Sequence, residues 1–267
     1  MNIQFDYKET WFHQINPSFK LMIMIGLFLF MLFVHYFNWL FYLTLFFYAL
    51  LVLFSGYSSK IICILTLPFF LVFASTASSM ILFGKGETTW VEWGLIHITE
   101  ESFYRGIHIG LRAFVFATLG LLFALTTRPV LLIYSLMQQL GLKPKYAYSF
   151  LAGLRLLPIM IEEYVTIRQA MKVRGVRDQK GWKSFLLKLN MYSIPLLAQS
   201  IRRAHRIAVA METKGFHGDE RRTYYYKTGY SLRDGYFIGC VILLIITSYY
   251  ASTYLPIFGI GDVRHGS

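Results

Sequence analysis

Long apolar runs separated by short polar turns fill the first half of the chain, and the pattern changes near residue 128. Leu21 to Phe54 contains no Asp, Glu, Lys or Arg. It exceeds the about 20 residues that a helix needs to cross a bilayer. The break at His35-Tyr36-Phe37-Asn38-Trp39 predicts two short helices in a hairpin, with Trp39 and Tyr42 at headgroup level. Ser55 to Lys60 is the next turn. Ile61 to Phe83 is a third run, with Pro68 inside it, and Phe103 to Leu125 a fourth. Asp234 to Pro256 is a fifth. Between the third and fourth, Gly84 to Glu101 reads as a polar loop. This pattern predicts an all-α integral membrane protein with about five transmembrane helices, four N-terminal and one C-terminal.

From Arg128 the period becomes amphipathic. Val130 to Leu140 reads as a short helix closed by Gly141, with Pro144 soon after. Phe150, Leu154, Leu157, Ile161, Val165 and Met171 then recur mostly at three- to four-residue steps, with polar residues elsewhere on the wheel. In the next run Leu196, Leu197, Ser200, Ile201, Ala204, Ala208 and Met211 form a stripe, and Arg202, Arg203 and Arg206 a cationic face. A helix of about 30 residues is roughly 45 Å long, so two such helices would lie along the membrane surface or cross one another. The division expected is a four-span membrane domain at 1–127, a helical domain at 128–233, and a last span with a short tail at 234–267.

Charge orients this arrangement. The chain carries a formal net charge of +12. Residues 128–233 hold 19 Lys and Arg against 6 Asp and Glu, while the rest of the chain is nearly balanced. The positive-inside tendency puts that segment, Lys20, Lys60 and the N-terminus in the cytoplasm. The 84–101 loop, with Lys85 against Glu87, Glu92, Glu100 and Glu101, then falls outside. Met1 to Asn16 lacks a basic n-region and a small-residue cleavage site, so no cleaved signal peptide is expected. Cys63 and Cys240 have no metal spacing and read as two small buried hydrophobes.

Catalytic patterns are missing. The sequence has no G-x-x-x-x-G-K-[ST], H-E-x-x-H, C-x-x-C or G-x-S-x-G, and its histidines are scattered singly. No catalytic group, metal site or cofactor is expected. Arg105, His108 and Arg112 fall on one face of the fourth run. An arginine at that depth faces a polar interior or a partner, or else snorkels to the headgroups. Gly106 and Gly110 form a G-x-x-x-G, which permits close helix approach.

The most specific feature is a repeated helix ending. Ala170-Met171-Lys172-Val173-Arg174-Gly175 returns as Ala210-Met211-Glu212-Thr213-Lys214-Gly215. Glycine takes the left-handed position after a helix without a Cβ clash, and the cation before it faces the negative end of the dipole. With Asn16-Pro17-x-x-Lys20, Leu154-Arg155-Leu156-Leu157-Pro158, Glu162-Glu163, Ile194-Pro195-Leu196-Leu197 and Arg202-Arg203, this resembles the transmembrane T component of energy-coupling factor transporters, the CbiQ-like permeases, over nearly the whole chain.

That resemblance implies a non-enzymatic coupling subunit of an ATP-driven importer in a bacterial or archaeal plasma membrane. Its two long cytoplasmic coupling helices cross, and their ends dock into two ABC-type ATPase subunits or one fused ATPase. Motion passes to a small membrane subunit that holds a vitamin or metal ion. By position, Val173-Arg174-Gly175 and Thr213-Lys214-Gly215 are the docking motifs. The family's usual Ala-Arg-Gly is altered here by Val173, Thr213 and Lys214, and lysine lacks the bidentate fork of arginine. Glu9-Thr10-Trp11-Phe12-His13 with Asn16-Pro17 points to a thiamine precursor as solute. Two other classes remain open. A membrane enzyme on lipid or isoprenoid head groups would need clustered acids, but Glu162 and Glu163 point to different sides of a helix. A nucleic-acid or ribosome-docking protein could use Arg221, Arg222 and Tyr224 to Tyr226, features that suit an anionic leaflet equally well; no nucleic-acid partner is expected.

Overall fold

A computed structural model describes residues 8–84, 88–93, 96–175, 181–216, 224 and 226–258. It divides into two compact units, one of residues 1–132 with 228–267 and one of residues 133–227.

In the first unit, a 3₁₀ turn at Trp11–Gln14 leads into α1 (Pro17–Leu32), α2 (Phe37–Phe54) and α3 (Ser59–Phe83). A two-stranded hairpin, β1 (Thr89–Trp93) and β2 (Ile96–Thr99), precedes α4 (Glu100–Thr126). The unit is completed by α8 (Leu232–Tyr254). Four of these helices, α2, α3, α4 and α8, are long and apolar enough to cross a membrane. The fifth, α1, has 16 residues. That gives roughly 24 Å of axis against an apolar layer about 30 Å thick. The expected break therefore falls where the sequence placed it, but α1 is a short helix rather than a full span.

Side chains explain where these helices start. Asn16 accepts from Ser18 N at 3.2 Å and caps α1, with Pro17 in the first helical position, where its missing N–H costs nothing. Thr99 accepts from Ser102 N at 3.2 Å, and Ser102 Oγ accepts from Thr99 N at 3.0 Å. This reciprocal cap begins α4 at Glu100, ahead of the apolar run, and Glu100 and Glu101 face the positive end of its dipole. The hairpin replaces the loop expected at 84–101. Its strands pair antiparallel, Trp93 opposite Ile96, with an irregularity between Thr89 and Val91.

The core of this unit is apolar and spans most of its helices. Met24 and Leu27 of α1, Leu43 and Phe47 of α2, Val115 and Leu119 of α4 and Phe237 of α8 are all buried in one cluster. The G-x-x-x-G lies against α3. A Cβ on Gly106 would sit 2.8 Å from Ala77 O, and one on Gly110 2.8 Å from the Phe73 ring. Gly110→Val should force α3 and α4 apart and lower the folded yield in detergent, whereas the same change at Gly120, where nothing lies within 4 Å, should not. Equal monodisperse yields from the two variants would refute this packing. Trp39 Nε1 donates to Ser248 Oγ at 3.1 Å and Tyr42 Oη to Leu255 O at 2.8 Å, which ties the start of α2 to the C-terminal part of α8. The cysteine expectation changes. Cys63 is exposed on α3 rather than buried, and Cys240 is half-buried.

The second unit holds most of α5 (Pro129–Gln139), then α6 (Pro144–Val173) and α7 (Trp182–Thr213), of 30 and 32 residues. Gly141 has a φ of +70°, so α5 stops at the expected glycine. Pro158 and Pro195 lie inside α6 and α7 without ending them. The apolar stripe of α6 at Phe150, Leu157, Ile161 and Val165 is exposed, as are Ile194, Leu197 and Ile201 of α7.

Candidate functional site

Both repeated endings stop a helix in the way their residues dictate. Gly175 and Gly215 have φ of +76° and +72°, the left-handed region that a Cβ resists. Gly175 N donates to Lys172 O at 3.1 Å. Gly215 N donates to Glu212 O and Phe216 N to Met211 O, both at 2.9 Å, which is a complete Schellman closure. Arg174 and Lys214 are the terminal caps of α6 and α7, and both are exposed. Val173 is 89% exposed, and Thr213 is exposed with its hydroxyl on Ala210 O. Neither cation forms an ion pair among the described residues. Two charged tips are thus presented to solvent on rigid helix ends. The Phe216 ring, just past the second tip, packs edge-on at 5.6 Å against Tyr148 near the start of α6.

The polar face of α4 is placed as follows. His108 is buried at 4% exposure, with its ring 6.4 Å from that of Phe37. Arg105 is half-buried. Arg112, also half-buried, donates from Nη2 to Val34 O at 2.7 Å, in the turn between α1 and α2. Arg112 lies roughly 18 Å along α4 from Glu100. The α1–α2 turn is therefore within a side chain's reach of mid-α4, which matches the shortness of α1. Arg112→Leu should free that turn and reduce assembly with a membrane partner, and unchanged complex yield would return Arg112 to a snorkelling role.

A polar network that the sequence did not disclose gathers at the opposite end of the first unit. Lys20, an orienting cation and part of the Asn16-Pro17-x-x-Lys20 motif in the sequence, is 1% exposed. Its Nζ donates to Phe12 O at 2.7 Å, Thr126 Oγ1 at 2.9 Å and Thr126 O at 3.2 Å, and stands 5.8 Å from the Phe12 ring centroid. Thr126 is the last residue of α4. The ammonium therefore satisfies the last carbonyl of α4, which the helix itself leaves without a donor at the negative end of its dipole. Thr10 Oγ1 does the same for α2, donating to Phe54 O at 2.6 Å. Asn16 N donates to Asp234 Oδ1 at 2.8 Å, Asn16 Nδ2 to Gly229 O at 3.1 Å and Ser231 N to Asp234 Oδ2 at 2.8 Å. Burial, and then the charge of Lys20, lower the pKa of His13. One short segment thus fastens the ends of α2 and α4 to the start of α8. No group of three or more His, Cys, Asp or Glu able to hold a metal exists among the described residues.

A family model described as CbiQ, cobalt transport protein, matches residues 8–225. The energy-coupling factor transporter transmembrane protein EcfT of Lactococcus lactis subsp. cremoris is 29% identical over 249 residues, covering 89% of this chain and 92% of that protein. The protein of the same name from Staphylococcus aureus is 29% identical over 253 residues, covering 89% and 91%. That from Brevibacillus brevis is 30% identical over 187 residues, covering 67% and 71%.

Proposed function

The chain belongs to the CbiQ family, as a transmembrane component of the energy-coupling factor transporters, and from that membership we propose that it couples two ATPase subunits, or one fused ATPase, to a small membrane subunit that binds a vitamin or metal ion. The observation that carries the reading is the pair of glycine-closed helix ends, each with an exposed cation. A solvated cap needs one copy per helix and no matching sequence. A matched pair, on helices of 30 and 32 residues, suits two acidic grooves on one partner. In this reading Val173-Arg174-Gly175 and Thr213-Lys214-Gly215 enter the grooves, and the chain performs no chemistry of its own. The exposed apolar stripes of α6 and α7 support a second, membrane-embedded partner, since patches of that kind on a polar helix mark interaction surfaces. The N-terminus and residues 128–233 face the cytoplasm of a bacterial or archaeal cell, on the strength of the cation surplus.

Co-purification tests this from a membrane of the native host. An ATPase carrying a phosphate-binding loop should come down with the tagged chain, together with a small membrane protein. Salt-sensitive RNA, or a tightly held lipid substrate without an ATPase, would overturn it.

A further inference from the structure

Two neighbouring positions on α6 reach widely separated positions on α7. Glu163 Oε1 accepts from Arg203 Nη2. The Gln199 amide faces both Glu163 oxygens, and since these only accept, its nitrogen is assigned to that side, where it donates at 2.8 and 2.9 Å. The next residue, Tyr164, packs edge-on at 5.5 Å against Tyr192. From Tyr192 to Arg203 is roughly 16 Å of helix axis, so α7 passes across α6 at this point. The Glu163 side chain is 16% exposed and that of Arg203 32%. A carboxylate so enclosed is screened less by solvent than an exposed surface pair, and two donors from the other helix fix its geometry.

The position of this contact is set by the repeat. The two helix endings are offset by 40 residues, and so are Glu163 and Arg203. Glu163 precedes Arg174 by 11 residues, and Arg203 precedes Lys214 by 11. Eleven residues are close to three whole helical turns, so each clasp residue shares a face with its own docking cation, about 16 Å away. The helices are joined at equivalent points, and the two arms beyond the join are equal. Rotation about it would move both tips alike.

We propose that Glu163 is a positioning residue whose carboxylate, clasped by Arg203 and Gln199, fixes the separation of the two docking ends so that they are offered as a pair. This rests on the docking function proposed above. Deleting either partner releases the crossing angle without touching a tip. The natural scatter of crossing angles, about 15–20°, moves Lys172 or Glu212, nine residues and about 14 Å beyond the clasp, by roughly 4 Å.

The test is an electron–electron distance measurement on the full chain in lipid nanodiscs, with nitroxides at Lys172 and Glu212, both exposed, in a Cys63→Ser, Cys240→Ser background. The parent should give a narrow distribution. Glu163→Ala and Arg203→Ala should each broaden or shift it by roughly 4 Å, on the scatter just given. Glu163→Gln, which keeps hydrogen bonding, should fall between. Exchanging the charges, Glu163→Arg with Arg203→Glu, should restore the narrow distribution, which a merely disrupted fold would not do. Distributions unchanged in the single variants, or an exchange no narrower than the singles, would overturn the proposal. No ATPase is present, so a responsive clasp in a chain that captures no ATPase would discard docking and keep the clasp.

Discussion

Arg174→Ala combined with Lys214→Ala is expected to abolish ATPase co-purification and solute uptake, while the protein still inserts in the membrane. Both side chains stand on exposed helix ends, and neither supports a neighbour by an ion pair among the described residues. Their removal should therefore leave the fold intact. If they served only as caps at the negative ends of α6 and α7, each loss would cost about 0.3–1 kcal/mol and complexes would persist. Inside an acidic groove, truncation strands the partner's carboxylate and costs roughly 2–5 kcal/mol. That is a loss of affinity of about 30-fold or more for each tip. Arg174→Ala should be at least as damaging as Lys214→Ala, since only a guanidinium pairs bidentately with a carboxylate. Titrating the purified ATPase onto the two single variants and the double measures the ranking. Near-normal affinity in the double variant would remove the two ends from the mechanism.

Lys20→Met should destabilise the first unit strongly for a change that keeps side-chain volume. Methionine fills nearly the same volume, so the polar contacts are isolated from packing. Phe12 O and Thr126 O would each lose a donor inside a site that water does not reach. A stranded buried acceptor costs about 1–3 kcal/mol. Two of them should lower the thermal transition in detergent by roughly 5–10 °C. Asn16→Ala should act in the same direction by a smaller amount, through loss of the α1 cap. A Lys20→Met transition within a degree or two of the parent would show that the ammonium contributes nothing net to the closure of α4.

The membrane helices were legible because lipid forces a simple pattern on them. An uninterrupted apolar run of one and a half spans must break, and His35 to Trp39 was the place where it could. The glycine closures were equally legible, since Gly141, Gly175 and Gly215 each follow an amphipathic run and each takes a positive φ. The paired strands at 89–93 and 96–99 do not show in the charge pattern of their segment, which reads as a polar loop. Its alternation of aromatic and β-branched residues carried the strand signal. Lys20 was legible as a lone cation at the head of an apolar run, but its burial depends on Thr126, 106 positions away. No local pattern reports such a meeting. Adjacent acids on a helix point to different sides, and Glu162 is exposed while Glu163 meets Arg203; which of the two has a partner follows from the 40-residue repeat rather than from either position alone.

Photocrosslinking in the native membrane tests the central claim most directly. Benzoylphenylalanine placed at Val173 and, separately, at Thr213 sits one residue from each cation on an exposed tip. Both positions should capture an ATPase subunit identified by the phosphate-binding loop in its peptides, and Arg174→Ala or Lys214→Ala beside the probe should abolish the capture. Crosslinks to lipid alone from both positions, in a chain that still inserts, would contradict docking at the two helix ends.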